Sequence, residues 1–579
     1  MNKWMIYNKK ISSLKGKINL SDEILRILVN RGIDTTEKVI EFFNTDLKKL
    51  HDPFLMKDMD KAVDILVDSI DNQEHIHIVG DYDQDGNSAT VTLIKGIQRF
   101  NKRLTYAIPD RIEDGYGINK NMVDNAIKIG VDLIITCDNG ISAHEAVEYA
   151  KAKGIKIIIT DHHKVTIVDG DQSLPKADAV LNPQRLDCGY PFKHLCGAGV
   201  AYKLIMALYD RLDTPIEETY DLLQFVAMGT VCDVVDLIGE NRTIVKEGLK
   251  KINSTSNKGL LALISANSWN REIDVYALGF VIGPCINASG RLSTARLGIE
   301  LFLEEDEKLV ESYAFELVRL NNERKELTNK TYEYVIDEIE SKDEIEDIII
   351  SYADMAHESI VGIVAGRIKE KFNRPVIVFA DSKDVGILKG SGRSIDNYDM
   401  FSKLNEAKDF MLSFGGHKMA AGMSIEKKNL KAFSEFLNLN SGLTKEDLQK
   451  EITIDLRYPI DILSESFIES LKLLEPFGKG NSKPVFADKA VNLLAYKIIG
   501  KNKNVIKLTF IKNGIIIECI SFNRSDEIEE YIISKFGREN LNNYNMNNRS
   551  QNLVDIIYFP QINEFRGERN IQLNLIDIR

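Results

Sequence analysis

The chain has 579 residues, 44% of them hydrophobic and 28% charged, with a formal net charge of -13 and six cysteines. One hydrophobic core does not reach this length, so roughly two to four domains are expected. No apolar run approaches the ~18 residues of a membrane helix, and "MNKWMIYNKKISSLKGK" lacks the apolar stretch of a secretory leader. Scattered cysteines without a C-x-x-C argue against a disulfide framework or a thiolate zinc site, and point to a reducing, cytoplasmic setting. The acidic balance alone speaks mildly against a nucleic-acid partner, although a cluster of metal-binding carboxylates would produce the same balance.

Residues 20 to 70 predict short helices. In "LSDEILRILVNRGI", "TTEKVIEFFN" and "DKAVDILVDSI" apolar residues recur at three and four, with Ser21 and Thr35 or Thr36 as candidate caps. Strands and helices then alternate: "HIHIVG", "ATVTLIKGIQRF", "VDLIITCDNG", "SAHEAVEYAKAKG", "IKIIITDHH". That order predicts an α/β fold with a parallel, doubly wound sheet. Ile299 to Val361 contain no Gly and no Pro, and Val310, Ala314, Leu317 and Leu320 keep helical spacing, so a long connecting helix is expected. "EDIIISY", "GIVAGRIKEKF" and "PVIVFA" announce a second α/β segment. Beyond about residue 450 short strands dominate. Asn513-Gly514 between two β-rich runs predicts a hairpin, and the segment as a whole predicts a small barrel. "ENLNNYNMNNRSQN" reads as a solvated loop. The expected boundaries are 1–298, 299–345 for the helix, 346–445, and 450–579.

Three strands of the first α/β segment end in acid or histidine: Asp81, Asp83 and Asp85; Asp138; and Asp161, His162 and His163. Asp233 follows an apolar helix in "GTVCDVVDL". In an open parallel sheet the carboxyl ends of the strands form the ligand crevice, so these residues converge. Taken singly, Asp138 is more simply a helix N-cap, and His75 and His77 are alternating strand residues. Four acidic clusters, each closing an apolar run, are better explained by metal. Carboxylates with one or two imidazoles suit Mn²⁺ or Mg²⁺. Six ligands exceed the need of one ion, and two ions sharing a carboxylate are how phosphoryl-ester hydrolases work. Cys137 and Cys232 are read as packing residues.

"DHH" at 161–163, with "DYDQDG", "CDNG" and "GTVCD", resembles the DHH phosphoesterase superfamily. "RIEDGYG", "GPCINASGRL", "HESIVGIVAGRI", "GSGRS", "SFGGHKMAAG" and "EPFGKGNSKPVF" follow in an order that resembles its RecJ family. The resemblance implies a DHH domain, a DHHA1 domain and a C-terminal OB-type barrel. It implies 5′→3′ hydrolysis of single-stranded DNA to 5′-mononucleotides in repair and recombination, with a helicase and a single-strand-binding protein as candidate partners and no membrane. Of two Mn²⁺ or Mg²⁺ ions, one would sit on Asp81, Asp83 and Asp138, the other on Asp85, Asp138, His162 and Asp233. His163 would face the scissile phosphate, with Asp161 beside it in the catalytic motif. Arg393 and His417 would hold substrate phosphates. Asn287, His357, Ser391, Gly415 and Gly416 are the other substrate-facing motif positions, joined by Arg111 and Arg291, for which surface salt bridges are an equal alternative. The glycines of "SFGGHKMAAG" suit close approach of backbone N–H groups to an anion; a tight turn before a helix is the other reading. Cys285 stands where the family carries Arg, and Asp236 where it carries Pro.

Two other functions fit parts of the chain. A DHH phosphodiesterase for small or oligonucleotide substrates would not need the extra barrel. A non-catalytic DNA-binding scaffold would have lost ligands, and none is missing. Phe486, Tyr496 and Phe510 could stack on bases, with barrel core as the preferred reading for most of them.

Overall fold

The computed structural model describes residues 2–7, 9–11, 14–111, 115, 117–500, 502–537, 552–565 and 567–579. The chain forms two compact units, Met1–Thr45 with Lys450–Arg579, and Asp46–Gln449.

The larger unit begins with a five-stranded, all-parallel sheet. Its spatial order is Leu104–Ala107, Ile76–Val79, Leu133–Cys137, Lys156–Thr160, Ala179–Leu181. The three middle strands are nearly continuous apolar runs because both faces are covered. Ile78, Ile135 and Ile158 face one core with helices Gln84–Ile97 and Gly197–Arg211, while Val79, Ile134 and Ile157 face helices Lys120–Lys128 and His144–Ala152. His75 and His77 are buried and share the Thr105 hydroxyl, each ring nitrogen 2.8 Å from it. Cys137 is buried in the core, beside Thr90 at 3.4 Å.

The connecting helix runs from Glu307 to Glu340, 34 residues. It starts later than expected because Glu304 turns extended after helix Arg296–Leu303, and Asp306 restarts the helix by accepting the amides of Lys308 and Leu309. Val310, Ala314 and Leu317 belong to the first core; Val335, Ile336 and Ile339 belong to the next. The second α/β segment is a mixed five-stranded sheet ordered Met411–His417, Ala420–Glu426, Ile387–Arg393, Val376–Asp381, Ile349–Tyr352, in which only the last pair is parallel. "SFGGHKMAAG" is therefore strand, turn and strand, with Gly415 opposite Gly422, and no helix follows the turn.

In the smaller unit, strand Phe486–Ile499 pairs with both Val505–Lys512 and Leu553–Phe565, and Ile515–Phe522 and Glu568–Ile578 complete a closed five-stranded ring. Asn513 and Gly514 both have positive φ, as the hairpin reading requires. Phe486 and Phe510 are fully buried; the Tyr496 hydroxyl donates to Glu529. The loop after 537 lies outside the described residues.

The first 45 residues, grouped by sequence with the segment up to 298, join this smaller unit instead. Strand Lys3–Ile6 pairs with Glu451–Ile454. Ile24, Leu28 and Val39 share the barrel core. The half-buried Arg31 guanidinium takes Asp455 at 3.1 Å and Asn481 at 2.7 Å. An amphipathic helix states that one face must be covered, not by what. Ser21 and Thr35 are the caps. Among the described residues no helix is long and apolar enough to cross a membrane.

Candidate metal centre and the cavity beside it

The acids stand where the strands end. Asp83 caps helix Gln84–Ile97, its Oδ1 accepting the amides of Asp85 at 2.9 Å and Gly86 at 3.1 Å. Asp85, one residue into that helix, accepts the Gly197 amide at 2.6 Å and the Ala198 amide at 2.9 Å. It thus fastens to the first turn of a second helix, where orphan amides favour an anion. Asp138 follows strand Leu133–Cys137 with φ of 62°, and it leaves no room at Gly197, where a Cβ would lie 2.5 Å from the Asp138 Cβ. Asp233 ends helix Leu223–Cys232.

Ligand atoms of Asp81, Asp83 and Asp138 lie within 4.8 Å of one another, as do those of Asp85, His162 and Asp233, and those of Asp138, His162 and His163. His162 Nε2 is 3.1 Å from Asp138 Oδ1 and 3.7 Å from Asp233 Oδ2, so the first two triads adjoin. Burial first, then the charge of Asp83, holds the Asp81 carboxyl well above the usual range; burial and the surrounding carboxylates do the same to Asp138. Burial also raises Asp85 against the opposing charge of His162. Burial and the His163 charge lower His162. Asp81 Oδ1 and His162 Nε2 are buried without a hydrogen-bond partner among the described residues. Crowded carboxylates beside an unprotonated imidazole fit a hard or borderline cation.

Asp161 belongs to the motif but is not placed as a ligand. Its Oδ1 accepts from His162 N, His163 N and His163 Nδ1, and its Oδ2 from Ile141 N. Burial opposes a charged His163, but the Asp161 hydrogen bond and the charges of Asp161, Asp233 and Asp81 outweigh it and raise that ring to about 9.

Beside the acids is a cavity of about 430 Å³, walled by Arg111, Arg291, Lys389, Ser391 and Arg393. Arg111 lies over the Tyr82 ring at 4.9 Å, and its charge reaches Asp81. Arg291 donates to the Ser359 carbonyl at 2.7 Å, joining the two α/β segments. Burial, then Arg111 and Arg324, lower Arg291 to about 10; burial and Arg111 lower Arg393. Among the described residues none of the three arginines pairs with a carboxylate, so the salt-bridge reading of Arg111 and Arg291 finds no support there. Most of "RIEDGYG" lies outside the described residues. Gly362, in the first turn of helix Val361–Phe372, also lines the cavity, and a Cβ there would meet Arg393 Nη2 at 2.9 Å.

The remaining expected residues divide. Gly415 lines the cavity. Gly416 and His417 lie on the adjoining hairpin strand, where burial and then the charges of Lys164 and His163 lower His417. Asn287 instead accepts the Gln84 amide at 2.8 Å, bracing the metal loop. His357 is bonded to Ser359 at 2.7 Å and shapes the turn before helix Val361–Phe372. Sequence reasoning passed over Lys389, Gly362 and Gly197. Cys285 is fully buried, its thiol donating to the Val281 carbonyl at 3.2 Å.

Family models match in three places: "DHH family, N-terminal domain" over residues 75–230, "DHHA1 domain" over 346–440, and "RecJ OB domain" over 454–577. The single-stranded-DNA-specific exonuclease RecJ of Bacillus subtilis is 34% identical over 571 residues, covering 97% of this chain and 71% of its own. The chain belongs to the RecJ family. The RecJ of Escherichia coli is 33% identical, with 96% of this chain and 95% of that one covered. Among solved structures, Thermus thermophilus RecJ in complex with Mn²⁺ matches with a TM-score of 0.81 at 25% identity, over 100% of this chain and 79% of that one. An exonuclease RecJ bound to manganese matches with a TM-score of 0.58 at 30% identity, over 68% of this chain and 96% of that one.

Proposed function

We propose that the protein is a metal-dependent exonuclease that degrades single-stranded DNA from the 5′ end and releases 5′-mononucleotides. One observation carries the reading. Two adjoining ligand triads stand beside a cavity whose arginines pair with no carboxylate among the described residues, and the charges of Arg111 and Arg291 reach Asp81 and Asp83. A terminal phosphate in the cavity places the next phosphodiester at the acids, so one nucleotide leaves at each cut.

The donor set suits two Mn²⁺ or Mg²⁺ ions, one on Asp81, Asp83 and Asp138, the other on Asp85, Asp138, His162 and Asp233. Bound there, they would activate a water and neutralise charge on the phosphate oxygens. The chain supplies the rest. Asp161 accepts the hydrogen bond of His163 Nδ1 and turns Nε2 outward, where it donates to a phosphate oxygen. Arg393 and Ser391, with Arg111 and Arg291, grip the 5′-phosphate; a planar guanidinium matches two phosphate oxygens at once. His417 reaches the strand from the second segment. The barrel adds affinity by stacking and charge.

The relatives' names support single-stranded DNA as substrate, and two of the relatives are bound to manganese in their solved structures. A role in repair and recombination, a helicase and a single-strand-binding protein as partners, and a cytoplasmic setting complete the reading, the last supported by six free cysteines. The test is Mn²⁺-dependent release of mononucleotides from single strands labelled at either end. Early release from the 5′ label and resistance of blunt duplex support the reading; equal release from both ends refutes it.

A further inference from the structure

Among the described residues Glu358 is the one acid lining a cavity otherwise walled by cations, hydroxyls and small or apolar groups. Its Oε2 is buried and has no hydrogen-bond partner among the described residues, although Lys389 Nζ lies 3.2 Å away. Its side chain is 13% exposed, so the charge is poorly screened. A carboxylate in such a place is costly, and it works against the anion that the arginines attract. The cavity has ample cation without it: Arg111, Arg291, Lys389 and Arg393, together with the first turn of helix Val361–Phe372.

We infer that Glu358 tempers this cavity, setting how long a 5′-phosphate stays and so how readily each released nucleotide leaves and the next terminus moves in. This rests on the reading of the cavity as the 5′-phosphate site. An exonuclease must refill the same subsite after every cut. Four cations without a counterweight hold a phosphomonoester too long, and release then limits turnover. Glu358 is a specificity-determining residue, and its effect is opposite in sign to that of its neighbours. Removing Lys389 or Arg393 weakens phosphate binding. Removing the Glu358 charge strengthens it.

The experiment measures binding of 5′-phosphorylated and 5′-hydroxyl single strands by fluorescence anisotropy in EDTA, where no hydrolysis occurs. Wild type, Glu358→Gln, Glu358→Ala, Lys389→Ala and Arg393→Ala are compared, with thermal melts to verify folding. Glu358→Gln should bind the 5′-phosphorylated strand about tenfold tighter and leave the 5′-hydroxyl strand within about twofold. A deoxynucleoside 5′-monophosphate should inhibit it correspondingly more strongly, with kcat and KM falling together. Glu358→Ala should move in the same direction. If both Glu358 variants weaken binding as Lys389→Ala does, Glu358 only holds Lys389 and the inference is overturned. If wild type binds both strands equally and Arg393→Ala changes nothing, the 5′-phosphate reading itself has failed.

Discussion

Oδ1 of Asp161 stands 2.7 Å from Nδ1 of His163, so that only Nε2 of this ring is left to face a substrate. A carboxylate only accepts, which fixes Nδ1 as a donor. Asp161→Asn should lower kcat/KM roughly 100-fold by releasing the ring. In a double-mutant cycle Asp161→Asn should add little to His163→Ala, because Asp161 acts through His163. Additive losses would give Asp161 a role of its own.

Variants of the proposed metal ligands should differ in stability, though not in activity. Asp233→Ala removes one of several crowded charges from a side chain that is 26% exposed and should leave the metal-free Tm level or higher. Asp85→Ala leaves the amides of Gly197 and Ala198 without an acceptor, at a cost of about 1–2 kcal/mol set against relief of repulsion. Both variants should lose hydrolysis. Calorimetry of the metal-free proteins separates them, and near-wild-type turnover of either in Mn²⁺ rules out the two-metal assignment.

Arg393→Ala should slow hydrolysis of 5′-phosphorylated strands much more than of 5′-hydroxyl strands, since it faces the cavity and not the acids. Steady-state rates on the two substrates decide. Equal losses would place its contact at an internal phosphate.

His77 makes stability fall with acid. Burial first, then the charge of His75, lowers it from 6.5 to about 4. Between these values the unfolded chain binds a proton that the native chain refuses, so stability drops as pH falls through that window, by roughly 3 kcal/mol at most. The stability difference between wild type and His77→Gln should therefore shrink from pH 7 to pH 4. Denaturant titrations across that range would expose a constant difference, which this account does not allow.

Removing the barrel requires removing residues 1–45 with it, because they share one core. A chain of residues 46–449 should fold and cleave di- and trinucleotides. Long single strands should show a steep rise in KM and a weaker salt dependence, since each stacked base is worth ~1–3 kcal/mol. Deleting only residues 450–579 should leave an insoluble product, with Ile24 and Leu28 uncovered. A folded 46–449 chain inactive on both substrates would make the barrel part of the catalytic apparatus.

The parallel sheet and the acids at its strand ends were legible because both leave local traces: alternation of element types, and charge at the close of apolar runs. Asp81, Asp83, Asp138, His162 and Asp233 converge as that pattern implies. Contacts between distant residues leave no such trace. Asp85 reaching Gly197, Asn287 bracing Gln84, and Arg31 reaching Asp455 could not be read from spacing. The same holds for the partner chosen by the first two helices. Asp161 looked like its motif neighbours, and only its four hydrogen bonds separate a strut from a ligand.

Helix Glu307–Glu340 places Val310 and Leu317 in one core and Val335 and Ile339 in another. Sliding or turning it as a rod would empty one of them. It works as a caliper, its two ends set in the two α/β segments.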